Sequence, residues 1–191
     1  MKLLIVRHGE STDDLTDQYG GWADFHLTDK GKEQLSESAT KIDNLNVKFT
    51  KVMCSPLLRA QESAEIISTK LGIPLEVFHY AKERNAYGIL SGLNKDEAIT
   101  LYPEFANVNI KTDFIPGKER SEDFGDRVRA AFSKIKELDT DVVLVTHGGF
   151  TARFFQIFLD IETTKVGDGG FALFEINGEN IEILEADGIE Y

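Results

Sequence analysis

The chain has 191 residues, of which 41% are hydrophobic and 28% are charged, as is usual for a globular protein with one substantial core. Its formal net charge of -12 argues against nucleic-acid binding, because that requires clustered Lys and Arg side chains that meet phosphates. No apolar run approaches the ~20 residues of a membrane span, and a lone cysteine, Cys54, with no secretory signal in the first residues, leads us to expect a cytoplasmic protein.

Short apolar runs alternate with helical patterns along the chain. Strands are predicted at residues 3–6, 52–54, 75–78, 142–146 and 171–176, and helices at residues 28–45, 56–72, 121–138 and 149–159. A further strand at residues 181–184, after the Asn177-Gly178 turn, predicts a C-terminal hairpin. This order predicts an α/β fold, a three-layer α/β/α sandwich with a mainly parallel sheet, in one domain over residues 1–191.

Residues from about 80 to 117 have the weakest periodicity in the chain. An excursion of this length without a clear pattern is often functional. We expect it to belong to the same domain and regard it as a candidate cap above a functional site.

Three predicted strands end in residues suited to anion binding. Arg7 and His8 follow the first strand, His147 follows the fourth, and the second strand runs into a helix whose first turn carries Arg59. Arg7 and His8 alone are equally consistent with a solvated turn. However, the carboxyl ends of parallel strands meet at one edge of a sheet, where open α/β folds bind ligands. Arginine offers a planar fork of donors to phosphate oxygens, and a helix N-terminus adds oriented amides, so we expect an anion site there.

The motifs around these residues resemble the histidine phosphatase superfamily, which includes the cofactor-dependent phosphoglycerate mutases. The resemblance rests on Arg-His-Gly-Glu at residues 7–10, Gly-Trp-Ala-Asp-Phe-His-Leu-Thr at residues 21–28, Ser-Pro-Leu-Leu-Arg-Ala at residues 55–60 and the late strand followed by His147. It extends over nearly the whole chain and implies a phosphoglycerate mutase-like fold.

The same resemblance implies a mechanism. His8 would be the nucleophile and carry the phosphoryl group, while Arg7, Arg59 and His147 bind the phosphate oxygens. The attacking nitrogen of His8 must be unprotonated, so its other nitrogen should donate to a fixed acceptor, which we expect to be a backbone carbonyl. Glu83 stands where the family carries the acid that protonates the leaving oxygen, although without the resemblance it would be taken for a surface residue. Positive charges can stabilise phosphoryl transfer here, and we expect neither a metal ion nor a cofactor.

Further substrate contacts follow from the resemblance. They are expected at Ser11, Gly21, Tyr87, Lys95, Gly148 and Gly149. Asp14 stands where the family usually has an asparagine, and its ionised carboxylate would repel phosphate. Glu119, at the entry to the helix over residues 121–138, is placed to orient pocket residues.

The expected activity is that of a phosphomonoesterase of the acid phosphatase type, acting through a phosphohistidine on His8. Two alternatives stay open. A phosphoglycerate mutase is one, although Asn85 and Ala86 stand where the mutase motif has a single histidine, and the stretch after Pro103 lacks the paired arginines of true mutases. A phosphate-binding module without catalysis is the other, and is motivated by Asp14. The expected substrate is a small phosphorylated metabolite or a phosphoprotein, and self-association is left open.

Overall fold

One mixed sheet with helices on both faces forms the centre of the protein. The structure, a computed structural model, describes residues 1–110 and 112–191, and the elements below are those of the described residues. The strands are β1 (Lys2–Arg7), β2 (Lys51–Cys54), β3 (Leu75–Val77), β4 (Val142–Thr146), β5 (Lys165–Asn177) and β6 (Asn180–Glu190). The helices are α1 (Thr12–Thr16), α2 (Asp29–Asp43), α3 (Leu58–Leu71), α4 (Lys95–Leu101), α5 (Pro103–Ala106), α6 (Ser121–Lys136) and α7 (Gly148–Leu159), with 3₁₀ turns at His79–Ala81 and Gly88–Leu90.

The strands lie in the order β3-β2-β4-β1-β5-β6. The first four in this order are parallel, whereas β5 is antiparallel to β1 and β6 is antiparallel to β5. β1 and β4 are apolar and buried along almost their whole length, as expected for parallel strands that are covered on both faces. The prediction of a three-layer α/β/α sandwich with a mainly parallel sheet is confirmed.

Two apolar cores fix the sheet between its helical layers. On one face, α2 and α3 contribute Leu35 and Ile67, and on the other α6 and α7 contribute an aromatic group that includes Phe150, Phe154 and Phe155. All five side chains are almost fully buried. Burial of one such side chain contributes about 1.5–3 kcal/mol to folding, so the positions of the central strands are strongly determined.

The sheet register brings the ends of three strands together. Arg7 at the end of β1 pairs with Thr146 at the end of β4, and Cys54 at the end of β2 pairs with Val145. The amide of His8 donates to the carbonyl of Thr146 at 3.0 Å, which continues the ladder by one residue. The side chains that follow these strands therefore leave the sheet at one edge.

Residues 80–117 contain two short helices and one of the 3₁₀ turns, and residue 111 of this segment lies outside the described residues. Their small core consists of Leu90, Ala98 and Ile115, with partly buried neighbours, while Phe114 is 77% exposed. Helices of four and seven residues bury too few side chains to produce a clear period in the sequence, which explains the weak pattern. The function of this segment as a cap stays a prediction.

The predicted element boundaries were accurate in the helices and less so in the hairpin. The helix predicted at residues 56–72 spans Leu58–Leu71 and ends at Gly72, which has a positive φ of 66°. The hairpin at Asn177 and Gly178 is present, but both of its strands are longer than predicted. Their outer ends are polar and rich in glycine, so an apolar run does not mark them. Among the described residues, no helix has the length and apolar character needed to cross a membrane.

Candidate active site

His8 lies directly after β1 and is 6% exposed. Its Nδ1 is 2.7 Å from the carbonyl oxygen of Gly9, which must accept, so Nδ1 carries the proton and Nε2 is unprotonated. The expected backbone acceptor is thereby confirmed. Burial first, and then the charges of Arg59 and Arg7, hold the pKa of His8 well below its usual range. The ring is therefore neutral at neutral pH, with a lone pair on Nε2 for attack on an electrophile.

Arg59 lies beside that lone pair. It is in the first turn of α3, is 3% exposed, and donates a hydrogen bond of 3.2 Å from Nε to Nε2 of His8. Its terminal nitrogens donate to the carbonyls of Ala23 and Gly21 at 2.9 and 3.1 Å. Among the described residues, no carboxylate lies within ion-pairing distance of this guanidinium. Burying a charge without a counter-ion is costly, so the arrangement favours a bound anion.

Arg7 is held differently from Arg59. Its guanidinium donates to the carbonyl of Val166 and forms an ion pair of 2.8 Å with Asp168, both in the irregular first part of β5. Within the described part of the chain its buried Nε has no partner. The amide of Gly169 also donates to the carbonyl of His8 at 3.1 Å. This stretch of β5 thus supports the Arg7-His8 pair from the side opposite β4.

His147 follows β4 and is fully buried. Its ring centroid is 5.0 Å from that of His8, and its Nε2 is 2.8 Å from the hydroxyl of Ser55. Burial, followed by the influence of His8 and Arg59, holds the pKa of His147 well below its usual range. Its Nδ1 is buried and has no partner among the described residues, as expected for a group that awaits a ligand. We call His8, Arg7, Arg59 and His147 the strand-end pocket.

The side chain of Glu83 contacts the N-terminus of α7, the helix that follows His147. Its carboxylate accepts hydrogen bonds from the amides of Arg84 and Gly149 at 2.8 and 2.9 Å. A Cβ atom at position 149 would lie 2.4 Å from Oε1 of Glu83, so a glycine is needed for this close approach. The carboxylate is therefore fixed beside the strand-end pocket by backbone amides.

A cavity of about 500 Å³ adjoins Glu83 and Gly149. Its lining residues are Glu83, Arg84, Ala86, Tyr87, Ser121, Phe124, Gly149, Ala152, Arg153, Gln156, Glu162 and Thr163. Among the described residues, neither Arg84 nor Arg153 forms an ion pair: they contact Glu119 O, Ser121 O and Gln156. The cavity is adjacent to Glu83 and large enough for a small organic group.

The comparisons with known proteins agree with this geometry. Residues 3–183 match the histidine phosphatase superfamily (branch 1). The chain belongs to this superfamily. A 2,3-bisphosphoglycerate-dependent phosphoglycerate mutase from Rhizobium johnstonii is 35% identical over 167 residues, which cover 83% of this chain and 79% of that relative. A second mutase, from Lactiplantibacillus plantarum, is 31% identical in a match that covers 96% of this chain and 81% of that relative.

Solved structures show the same fold in both phosphatases and mutases. The alpha-ribazole phosphatase from Shigella flexneri has a TM-score of 0.81 at 22% identity, with 98% of this chain and 96% of that chain covered. A phosphoglycerate mutase from Bacillus anthracis also reaches 0.81, at 21% identity, covering 98% of this chain and 92% of that chain. The expected superfamily and phosphoglycerate mutase-like fold are confirmed, and membership supports an enzyme.

The structure brings several further predicted residues of this member of the histidine phosphatase superfamily to the site. Gly21 has a φ of 53° and presents its carbonyl to Arg59. Gly148 is beside Arg7, because a Cβ there would be 3.5 Å from the Arg7 side chain. Tyr87 lines the cavity next to Glu83. Each is therefore within reach of a ligand in the strand-end pocket or the cavity.

Ser11 and Lys95 each contact an acidic side chain of the protein itself. The buried hydroxyl of Ser11 donates to Asp13 at 2.6 Å, at the start of α1. Lys95 forms an ion pair of 2.6 Å with Asp17, and the two side chains are 60% and 74% exposed. Asp17, the left-handed residue that ends α1, binds the ammonium group on the surface, and the expected substrate contact of Lys95 stays a prediction.

Asp14 turns its carboxylate to the backbone. It accepts a hydrogen bond of 3.1 Å from the amide of Ser11. Burial raises its pKa, and the Ser11 hydrogen bond opposes this; Asp13 and Asp168 also raise the pKa, and Arg7 lowers it. Both Arg7 and Asp168 thus influence the pKa of Asp14, but the carboxylate is not ion-paired with an arginine in the described structure.

Three residues at the site were not predicted from the sequence. Ser55 contacts His147, Asp168 contacts Arg7, and Arg127 donates to the backbone at Glu83. Ser55 lay within a recognised motif. For Asp168 and Arg127 the contacts are long-range, and no local pattern marks them. Within the described residues, no cluster of three or more His, Cys, Asp or Glu side chains is arranged to hold a metal ion.

Proposed function

We propose that this protein is a phosphomonoesterase that transfers a phosphoryl group from a small phosphorylated substrate to Nε2 of His8, and then to water. The observation that carries the proposal is the pairing of a neutral nucleophile with a buried guanidinium: Arg59 Nε is 3.2 Å from His8 Nε2 and has no carboxylate counter-ion among the described residues. A phosphate dianion would supply that counter-ion and place phosphorus next to Nε2.

Two steps complete the reaction. In the first, Nε2 of His8 attacks phosphorus, the bond to the leaving oxygen breaks, and Glu83 donates a proton to that oxygen. In the second, water attacks the phosphohistidine, Glu83 takes up a proton from the water, and the phosphorus–nitrogen bond breaks to release inorganic phosphate. A positioned general acid of this kind accelerates a reaction by about 10²–10⁴-fold.

The charges of the strand-end pocket support the transfer without a metal ion. Arg7 and Arg59 are cationic, and the buried Nδ1 of His147 is a free hydrogen-bonding atom. Preorganised donors in a water-poor site stabilise the charge on the equatorial oxygens as it redistributes. We therefore propose that turnover requires neither a metal ion nor a cofactor.

The cavity beside Glu83 is the proposed site of the leaving group. It adjoins the acid that would protonate the leaving oxygen, and its lining combines Tyr87 and Phe124 with Arg84 and Arg153. This composition favours a small metabolite with an organic body over a large polymer.

The structure of the lone cysteine does not indicate a cellular compartment. Cys54 is buried, and burial raises the pKa of its thiol to about 12. We therefore propose a cytoplasmic location from the sequence features alone.

Phosphoglycerate mutase activity is the second candidate, favoured by the identity of 35% with a mutase. Against it, Lys95 is bound to Asp17 on the surface, and Asn85 uses its side chain to contact Gly117 and Ser91. The substrate contacts that the mutase motif implies are therefore altered. A binding module without catalysis is disfavoured by the fixed tautomer of His8.

A substrate panel tests the proposal. Inorganic phosphate release is measured for phosphorylated metabolites and a phosphopeptide, beside interconversion of 2- and 3-phosphoglycerate with bisphosphoglycerate present. We expect phosphate release that persists in a chelator, is inhibited by vanadate, and is lost in His8→Asn but not in His79→Asn, an exposed histidine. Interconversion without net release would establish the mutase instead. Loss of activity on chelation, restored by a divalent ion, would contradict the metal-free mechanism.

A further inference from the structure

Arg127 on α6 gathers five hydrogen bonds around its guanidinium. It donates to the carbonyls of Tyr80, Lys82 and Glu83 at 2.9, 2.7 and 3.0 Å. It also donates to both carboxylate oxygens of Glu119, at 2.9 and 2.8 Å. The two side chains of this ion pair are only 16% and 12% exposed. All five N–H donors of the guanidinium are thereby used, and bidentate pairs of this kind are among the stronger ones.

The carbonyls that Arg127 binds belong to the Glu83 segment (residues 80–85), which is not paired in the sheet. Buried or partly buried backbone groups need partners, and here a side chain from another layer supplies them. Glu119 continues the arrangement, since its carboxylate also accepts from the amide of Asn85 at 3.2 Å and its carbonyl accepts from Nε of Arg84 at 3.2 Å. The segment is thus held on both sides of Glu83.

The side chain of Glu83 has no part in the ion pair. Its carboxylate accepts only from the amides of Arg84 and Gly149 among the contacts that the structure describes. Arg127 therefore determines the position of the Glu83 carboxylate only through the backbone, and it does not contribute to the hydrogen bonds of that carboxylate. The hydrogen bonds and the ion pair that hold the strand-end pocket do not involve Arg127.

We infer that Arg127, with Glu119, is a positioning residue that aligns Glu83 with the leaving oxygen. This inference rests on the proposed function and concerns the protonation step alone. A misplacement of about 1 Å in a reacting group can cost on the order of 10²-fold in rate. Loss of Arg127 should therefore slow cleavage where the leaving oxygen needs a proton and spare cleavage where it does not.

Leaving-group dependence separates this role from a general structural one. We would measure kcat/KM for 2,4-dinitrophenyl phosphate, whose leaving group departs as a stable anion, and for an alkyl phosphate, whose leaving group requires a proton. In Arg127→Met we expect kcat/KM for the alkyl ester to fall by about tenfold to a hundredfold, and that for the dinitrophenyl ester to change by less than about threefold. The control is Arg129→Met on the same helix, whose arginine is 56% exposed and pairs with Asp126. It should leave both values unchanged.

Each other outcome has a definite meaning. Equal losses with both esters, or no loss with either, would overturn the positioning role. Should Arg127→Met fail to fold, Glu119→Gln keeps the shape of the partner and removes its charge, and the same selective loss is expected; an equal loss there overturns the inference. Failure of the wild-type protein to hydrolyse even the dinitrophenyl ester would refute the proposed function itself, which distinguishes the two results.

Discussion

The strand-end pocket and the Glu83 segment face the same expected substrate but are built in different ways. In the strand-end pocket, each side chain ends or follows a buried strand or lies in the first turn of a helix, and the sheet ladder continues through the amide of His8 to Thr146. The Glu83 segment begins in a 3₁₀ turn, and contacts from Arg127, Trp22 and Gly149 hold it in place. The first region is fixed by the fold, and the second by a few long-range side-chain contacts.

This difference suggests a division of labour. The strand-end pocket would bind the phosphoryl group, which every substrate shares, while the Glu83 segment and the adjacent cavity would meet the leaving group, which varies. Changes in the first region should then affect all substrates to the same degree. Changes in the second should depend on the leaving group.

The largest effect is expected for Glu83→Gln with an alkyl phosphate. Glutamine retains the size of the side chain but cannot donate a carboxyl proton, so kcat/KM should fall by about 10²–10⁴-fold. For 2,4-dinitrophenyl phosphate, the loss should be far smaller. Steady-state kinetics with both esters provide the measurement. A uniform loss across leaving groups would remove Glu83 from the role of general acid.

Arg59→Met should reduce kcat/KM by roughly 10²-fold with every ester, because it removes one preorganised donor at the phosphate. The same kinetic series checks this, and the ratio between the two esters should stay near its wild-type value. Arg120→Met is a suitable control, since Arg120 is 72% exposed and pairs with Asp123. Strong leaving-group dependence in Arg59→Met would contradict the division between the two regions.

Asp14→Asn tests the acidic side of the strand-end pocket. The change keeps the shape, removes a negative charge near Arg7 and adds amide donors, so kcat/KM should rise about tenfold, or about 1.4 kcal/mol. The rise should be similar for both esters. Phosphate affinity and aryl phosphate hydrolysis are measured for both proteins. A fall would show that the ionised carboxylate is needed to hold the start of α1 through the amide of Ser11.

The two pocket histidines should make stability depend on pH. The pKa of both His8 and His147 is lowered by burial, so the unfolded chain binds protons more readily than the folded protein. Stability from this source is complete above about pH 6.5 and is lost as the pH falls below that value. Denaturant unfolding between about pH 7.5 and about pH 5 measures the effect. Inorganic phosphate should reduce the loss, and a pH-independent free energy of unfolding would contradict the assignment of neutral rings.

The smallest effect is expected for Lys95→Ala. Its ammonium group is bound by Asp17 in an exposed ion pair, which is worth only about 0–1 kcal/mol. We expect kcat/KM for small esters to change by less than about twofold, within the range of surface substitutions. A large increase in KM for one phosphorylated metabolite would show that Lys95 leaves Asp17 to bind that substrate.

The sequence was informative where local pattern and position in the fold coincide. His8, Arg59 and His147 could be placed because each follows a strand that its own apolar residues define, and parallel strand ends meet. Glu83 had no such signal and was identified only through the resemblance to a family.

Contacts between distant parts of the chain could not be predicted from local sequence patterns. Arg127 lies 44 positions from Glu83 and Asp168 forms its ion pair with Arg7 across the sheet edge. The ion pair of Lys95 with Asp17, 78 positions away, was missed for the same reason. The polar outer ends of β5 and β6 extended the hairpin without an apolar run to mark them.

Trapping of the phosphorylated enzyme tests the central claim most directly. The protein is mixed with an aryl phosphate, quenched with base on the timescale of turnover, digested and analysed by mass spectrometry. We predict one phosphoryl group on His8, stable in base and lost in acid, and absent from the His8→Asn protein. Turnover without a phosphorylated histidine, or a phosphoryl group on another residue such as Ser11 or Ser55, would contradict the account.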